Sequence, residues 1–460
     1  MLQVKLNALD AGLFALPPEA TAAATTAPHQ GPLAAATEVP ELPLPDNCLV
    51  GKNMMRYFMR PLTKKGLNYQ ECGEALDAEA VVAALKEERP QALEEVEKAR
   101  KKREDTKTES GNAGEEVPGV VATASPGDLA ITFLGTGAAI PSKYRNVTGL
   151  LIDRPDLDAA MLADCGEGSL GQLHRRLGAA GAHQVLRRLA LVWISHIHAD
   201  HHVGLPALLA ERTRLLGPQC PPLLVIGPRP LRRALASYAA LEPMKFRFVE
   251  AVNTTPEANA AIAAEQEQQQ QQAKNGEVLG EEGKPMPEDI RIALEEARQK
   301  MGLKRLESIR VVHCAHSYGL LLESTSGWKV VFSGDTRPCE ALIEASRGAT
   351  LLIHEATFDD SMVEEAIAKK HCTTKEAVEV GVAAGTYRTI LTHFSQRYPK
   401  VPVINESFVD HVGIAFDLMT VRLTDLPRLP SLVPAVKVLF DEEEEEEGEE
   451  DKEPEVQMFG

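Results

Sequence analysis

Within six residues, His196, His198, Asp200 and His201 set three imidazoles and a carboxylate almost side by side. Imidazole and carboxylate are the donors that a borderline divalent ion such as zinc accepts. The apolar run from Leu189 to Ile194 leads into them and Gly204 opens a helical pattern behind them, so one strand-to-helix turn can deliver all four into one pocket. Neither packing nor solvation requires so dense an alternation. Three further candidates follow apolar runs: His313 after Ile309 to Val312, Asp335 after Lys329 to Phe332, and His393 after Thr389 to Leu391. The end of a strand is the usual place for site residues in α/β folds. Taken singly, His393 would more often be structural and Gly334-Asp335 a turn. Joined to the first cluster they give six ligands and one carboxylate that can be shared, a set that suits two divalent metal ions better than one.

The elements that must position these residues are short apolar runs, 129–134, 147–152, 189–194, 223–226, 309–312, 319–323, 329–332, 350–353 and 389–391, read as strands. Helical patterns at 170–177, 205–216, 230–240, 340–345 and 374–384 separate several of them. Strands interleaved with helices predict one α/β layered domain over 128–440. Residues 1–127 are expected to be a largely disordered leader and linker, with a docking segment at 52–66 that mixes basic and large apolar residues. The polar stretch 254–284, with Gln268 to Gln272 unbroken, reads as a low-complexity insertion, and 441–460 as an acidic disordered tail.

Charge and cysteine usage narrow the classes. Of the net charge of −18, about −11 belongs to Asp441–Glu455, where 12 acidic residues face one lysine. The body, near −7, argues against a broad basic groove, so any phosphate site must be local. Seven scattered cysteines without a CxxC pair do not resemble a disulfide framework and favour a reducing compartment. No run of 18 apolar residues is present, and no membrane association is expected. An intracellular place, nuclear or cytoplasmic, is the expectation, with mitochondrion or plastid as the alternative.

The order HxHxDH, His, Gly-Asp, His resembles the metallo-β-lactamase fold hydrolases. That resemblance implies an αββα sandwich, with His196, His198 and His313 on one metal, Asp200, His201 and His393 on the other, and Asp335 bridging. The segment Pro141-Ser142-Lys143-Tyr144-Arg145-Asn146 is similar to the PxKxRN signature of tRNase Z (RNase Z), the tRNA 3′-processing endonuclease. Asp164 to Gly168, Ser326 to Thr336, His354 to Phe358 and Leu391 to Tyr398 agree with the same family. The run His313 to Gly319 and Cys339 to Leu342 point to the catalytic C-terminal half of its long form.

The resemblance implies two zinc ions and a precursor tRNA substrate, cut 3′ of the discriminator base to leave a tRNA 3′-hydroxyl and a 5′-phosphorylated trailer. It assigns Lys143, Arg145 and Asn146 to substrate, Asp200 to orienting or deprotonating the attacking water, and His371 with Glu355 to protonating the departing oxygen. A carboxylate beside a histidine makes it a usable acid near neutrality. His202, His316 and His354 are expected to support or pack.

Two departures qualify the resemblance. Short forms insert a tRNA-clamping arm between the third histidine and the bridging aspartate, but His313 and Asp335 are only 22 positions apart, enough for two strands and a turn. Long forms carry the arm in an N-terminal half, and 1–128 lack its pattern, although Arg56 to Gly66 is similar to the connection between halves. The arm would then come from an N-terminal-half polypeptide or a dimer partner, or the sequence is a truncated gene product. The chain alone is expected to cleave a simple phosphodiester and to handle precursor tRNA poorly. Competing readings are a small-molecule phosphodiesterase or thioester hydrolase on the same fold, and a noncatalytic RNA-binding subunit.

Overall fold

The computed structural model describes residues 2–16, 56–59, 65–68, 78–108, 117–260, 287–396 and 410–440. Two sheets stack face to face, and β6 (Leu189–Trp193) shows why. Its residues alternate across the sheet as a strand requires: Leu191 and Trp193 join the core between the sheets, while Val192 and the following Ile194 join the cluster under the outer helices. The seven-stranded sheet comprises β3 (Ala130–Gly135), β4 (Gly149–Arg154), β5 (Ala159–Cys165), β6, β7 (Leu223–Gly227), β8 (Phe246–Glu250) and β15 (Thr420–Arg422). Its order is β15-β3-β4-β5-β6-β7-β8. The six-stranded sheet comprises β9 (Leu303–Arg310), β10 (Tyr318–Ser324), β11 (Lys329–Phe332), β12 (Leu351–Glu355), β13 (Arg388–Thr392) and β14 (Val412–Ile414), in the order β14-β13-β12-β11-β10-β9.

Trp193 meets Phe332 edge to face across the sandwich, with ring centroids 6.3 Å apart. Helices Ser169–Arg188, Leu205–Leu216 and Arg229–Ala239 cover the outer face of the first sheet, and Glu340–Ser346 and Thr374–Ala384 that of the second. This is the expected αββα arrangement. β5 and β6 are parallel neighbours, as are β11, β12 and β13, so within each sheet the loops after these strands leave from one edge. Among the described residues no helix is long and apolar enough to cross a membrane.

The expected leader departs from the structure at its start. Leu2–Leu9 is a helix, and Leu6, Leu13 and Phe14 are fully buried in the core between and beside the sheets. Thr420 N donates to Leu13 O at 2.8 Å and Gln3 Nε2 to Asp417 O at 2.8 Å, and Phe14 packs edge to face on Phe416. The spacing of Leu2, Leu6, Leu9 and Leu13 is a helical stripe that the Ala, Thr and Pro content of the adjoining residues hides. Residues 78–108, whose charge-dense pattern is helical but reads as linker, pack against the domain: helices Ala78–Glu88 and Pro90–Thr108 bury Leu85 and Ala92, and Arg89 donates to Val438 O of the terminal helix Val433–Phe440.

The polar insertion also begins later than expected. Thr254 is buried and its hydroxyl lies 2.7 Å from Ser308 Oγ, and 261–286 lie outside the described residues. In the 52–66 segment, β1 (Arg56–Phe58) pairs antiparallel with β2 (Gly66–Asn68); 52–55 and 60–64 lie outside the described residues, as do 17–50 and the acidic tail. Phe14→Ala should cost about 3 kcal/mol in denaturant unfolding, the usual penalty for emptying a buried aromatic site. A change below about 0.5 kcal/mol, the scale of an ordinary surface substitution, would mean that the first residues are not part of the core.

Candidate metal centre

The edge where the parallel strands stop brings every expected ligand together. His196 to His201 follow β6, Asp335 follows β11, Glu355 ends β12 and His393 follows β13. His313 lies three residues beyond β9, held by a bridge from Val312 to Arg337 instead of by the strand itself. Close backbone approach makes this possible: a Cβ on Gly166 would stand 2.1 Å from Asp200 O, and one on Gly334, at φ +56°, would stand 2.6 Å from Tyr318 O. Glycine is therefore required at both places. Ala139, Asp164 and His393 adopt positive φ without being glycine, and all three border the centre. Backbone strain of that kind collects where side chains must be aimed.

His198 Nδ1 lies 3.0 Å from His196 Nε2 and 3.1 Å from His313 Nε2. Nitrogens about 2.0–2.1 Å from one zinc ion would be separated by little more than that. Asp335 Oδ2 is 3.5 Å from His196 Nε2, 3.3 Å from His201 Nε2 and 3.8 Å from His313 Nε2, and its Oδ1 is 3.5 Å from His393 Nε2. Asp200 Oδ2 is 3.5 Å from His201 Nε2 and 3.4 Å from His393 Nε2. The donor atoms thus form a group of His196, His198, His313 and Asp335 and a second of Asp200, His201 and His393. The two carboxylate oxygens of Asp335 face different sides of the cluster.

Two observations fit these residues to metal. His201 Nε2 is buried, has no hydrogen-bond partner and faces two carboxylates, an arrangement that a cation would satisfy. The protonation states agree. Burial, with His201 nearby, holds His196 well below the ordinary histidine range, leaving it neutral as a ligand must be. Burial opposes charge on Asp335 and Asp200, yet the surrounding histidines outweigh it and hold both carboxyls well below their usual range. For His201, burial is outweighed by Asp335, Asp164 and Asp200, which hold its imidazole well above that range; a bound cation would take the place of that proton.

An outer layer orients the ligands, as metal sites require. Asp164 Oδ2 lies 2.7 Å from His201 Nδ1, and the same carboxylate accepts from Ser195 N at 2.7 Å and Ser195 Oγ at 2.9 Å. Ser195 Oγ is 3.0 Å from His196 Nδ1. His313 Nδ1 lies 2.9 Å from Lys370 O, and His393 Nδ1 lies 2.8 Å from Thr357 Oγ1. Ala139 N donates to Asp200 Oδ2 at 2.8 Å. Asp164, Ser195 and Thr357 were not among the candidates read from sequence. A lone Asp at a strand end, where the strand itself is alanine-rich, gives little signal.

Glu355 and His371 meet beside this cluster. His371 Nδ1 lies 2.9 Å from Glu355 Oε1, and Glu355 also accepts from Thr336 N, Thr357 Oγ1 and Cys372 N. Burial opposes the charged imidazolium, but the Glu355 carboxylate outweighs it and lifts His371 to about 9. His371 Nδ1 is also 3.9 Å from Asp335 Oδ2. Of the three histidines expected to support or pack, His202 Nε2 lies 2.9 Å from Ile197 O and His354 is buried with Nδ1 2.7 Å from Glu355 O, whereas His316 is exposed.

The 141–146 loop divides. Lys143 is exposed, with its ammonium 4.8 Å from the Tyr144 ring centroid. Arg145, expected to meet substrate, is instead buried at 8% exposure. Its Nη1 donates to Thr136 Oγ1 and Ala415 O, and its guanidinium lies over Phe394 and Phe416. A guanidinium stacked between two aromatic faces and bonded inward supports the loop from below. Asp417 is the other unforeseen support: its carboxylate accepts from Thr136 Oγ1, Asn146 N and Gln172 Nε2, and burial raises it to about 6. Asn146 Nδ2 donates to Glu167 O at 2.9 Å. Between His313 and Asp335 the chain is filled by β10, β11 and their turn, so an arm has no room there.

The β-lactamase superfamily domain model matches residues 159–394, just over half of the chain. The tRNase Z TRZ4, mitochondrial, of Arabidopsis thaliana is 40% identical over 85% of this chain and 45% of its own length. The zinc phosphodiesterase ELAC protein 2 of Homo sapiens is 42% identical over 67% of this chain and 35% of its own. The chain therefore spans less than half the length of these relatives. A long form RNase Z from yeast aligns in structure with a TM-score of 0.56 and 24% identity over 70% of this chain and 45% of that one, a likeness of fold.

Proposed function

The chain belongs to the β-lactamase superfamily, and from that premise we propose that it is the catalytic half of a tRNA 3′-processing endoribonuclease. It hydrolyses the phosphodiester 3′ of the discriminator base, leaving a 3′-hydroxyl on the tRNA and a 5′-phosphate on the trailer. What carries this reading is the Glu355–His371 pair set beside a histidine and aspartate cluster, at 2.9 Å. A ribose 3′-oxygen is a poor leaving group and needs a proton as the P–O bond breaks, whereas a thioester or activated aryl ester does not. Similarity to proteins named tRNase Z supports the same substrate.

His196, His198 and His313 would hold one zinc ion, Asp200, His201 and His393 a second, with Asp335 shared. Bound there, two divalent ions would supply an activated water and stabilise negative charge on the phosphoryl oxygens. The chain's own part is to orient and relay. Asp200, fixed by Ala139 N, orients the attacking water and accepts its proton. His371, held charged by Glu355, gives its proton to the departing 3′-oxygen. Lys143 and Asn146 meet the substrate on the loop that Arg145 and Asp417 brace.

The mitochondrial names of the Arabidopsis relatives favour an organellar place of action over the nuclear or cytoplasmic one. Lys143→Ala separates this reading from a small-molecule hydrolase. Loss of one phosphate contact should lower kcat/KM on a 3′-extended precursor tRNA by about tenfold and flatten its salt dependence by about one charge, with bis(p-nitrophenyl) phosphate hydrolysis unchanged. Equal loss on both substrates would put Lys143 in the chemistry and count against an RNA-reading loop.

A further inference from the structure

The peptide between His371 and Cys372 is pinned from both sides. Its carbonyl, His371 O, accepts from Arg337 Nη1 at 2.6 Å, and its amide, Cys372 N, donates to Glu355 Oε2 at 3.2 Å. Arg337 is itself held. Its Nη1 donates to Glu376 Oε2 at 2.7 Å and its Nη2 to Glu376 Oε1, so the guanidinium and carboxylate meet as a two-point fork. Arg337 N donates to Val312 O at 2.9 Å, one residue before the ligand His313.

Glu376 closes the arrangement from the helix side. It completes a capping box with Thr373, accepting from Thr373 N at 2.9 Å while Thr373 Oγ1 accepts from Glu376 N at 3.3 Å. The polar atoms of three successive residues, His371 O, Cys372 N and Thr373 N, are therefore fixed by Arg337, Glu355 and Glu376 in turn. The side chains of Arg337 and Glu376 are 18% and 20% exposed, sheltered enough for a forked ion pair to hold its geometry.

We propose that Arg337 and Glu376 are positioning residues for the reaction, an ion-paired brace that holds the His371–Cys372 peptide so that the His371 imidazole stays on Glu355 and aimed at the departing oxygen. The hydrogen bonds of both side chains go to each other and to the 371–373 backbone, so their effect passes through the backbone of His371. The inference rests on the reading of His371 as proton donor. A proton donor displaced by about 1 Å can lose on the order of 10²-fold in rate, and that loss matters only where the leaving group needs the proton.

The test uses the full chain loaded with zinc, with Arg337→Gln, Glu376→Gln, Arg337→Lys and His371→Ala beside the wild type. Single-turnover cleavage of a 3′-extended precursor tRNA at saturating enzyme removes binding from the comparison, and bis(p-nitrophenyl) phosphate, whose leaving group needs no proton, is the control. Bound zinc and thermal unfolding are measured for each protein. Arg337→Gln and Glu376→Gln should each slow tRNA cleavage by about 10- to 100-fold while leaving the aryl substrate and bound zinc as in the wild type. Arg337→Lys, which keeps a charge for Glu376 and a donor but not the two-point fork, should recover only part of that loss. If His371→Ala slows only the tRNA reaction but the two Gln variants do not, the brace is refuted and the proton-donor reading stands. If His371→Ala slows both substrates alike, or the wild type does not cut tRNA even with an arm-bearing N-terminal half added, the proton-donor reading fails and the inference with it. Gln variants slowed equally on both substrates, or short of zinc, would make the pair merely structural.

Discussion

Asp335→Ala should strip the protein of most of its bound metal and lower phosphodiester hydrolysis by on the order of 10³-fold, the equivalent of several kcal/mol of lost charge stabilisation. Asp335 faces His196, His201 and His313 with one carboxylate oxygen and His393 with the other. Removing it takes the shared anion from between the two sets of imidazoles. Elemental analysis of the purified variant and wild type, with hydrolysis of bis(p-nitrophenyl) phosphate, reads both effects. A variant that keeps the wild-type metal content and activity would show that Asp335 is not a ligand. A wild type with no stoichiometric metal would favour the noncatalytic subunit.

His371→Ala should divide the two substrate types more sharply than any other change. Loss of a positioned general acid is worth about 10²- to 10⁴-fold where the leaving group is an alkoxide, and little where it is a nitrophenolate. Cleavage of precursor tRNA should fall by that factor while hydrolysis of the aryl diester stays near the wild-type rate. Glu355→Gln should go the same way, because the amide removes the charge that lifts His371 to about 9. Parallel losses on both substrates would place His371 among the metal-supporting residues, where its 3.9 Å distance from Asp335 makes it a competitor for that role.

The candidate ligand set could be proposed from sequence because metal chemistry restricts residue types and because these residues fall at the ends of apolar runs or in one dense motif; the structure brings them together. The same reasoning failed where structure depends on a residue's surroundings. β5, Ala159–Cys165, went unread because alanine carries little strand preference, although every one of its residues is buried. Asp164 at its end, which lies 2.7 Å from His201, belongs to a stretch that agrees with the family but was given no role of its own. Arg145 belongs to a loop whose charge suggested contact with RNA, but its guanidinium turns inward between Phe394 and Phe416, two rings far apart in sequence. The helix at the start of the chain was hidden by the Ala, Thr and Pro content of its neighbours in sequence, and the packing of 78–108, whose pattern is helical but reads as linker, by its charge density. In both, a few apolar positions suffice because the face they cover belongs to the C-terminal residues 413–440.

The candidate site therefore has three layers of differing legibility: proposed ligands restricted by chemistry, orienting groups such as Asp164 and Thr357 fixed by distance, and loop supports such as Arg145 and Asp417 fixed by burial. Only the first can be read from spacing. The most direct test of the central claim is to map the cut that the zinc-loaded chain makes in an end-labelled, 3′-extended precursor tRNA, at enzyme excess and with an arm-bearing N-terminal half added where the chain alone is slow. The predicted result is one cleavage immediately 3′ of the discriminator base, with a 3′-hydroxyl on the tRNA and a 5′-phosphate on the trailer, abolished by Asp335→Ala. Cleavage at other positions, a cyclic or 3′-phosphate terminus, or no cleavage under either condition would contradict it.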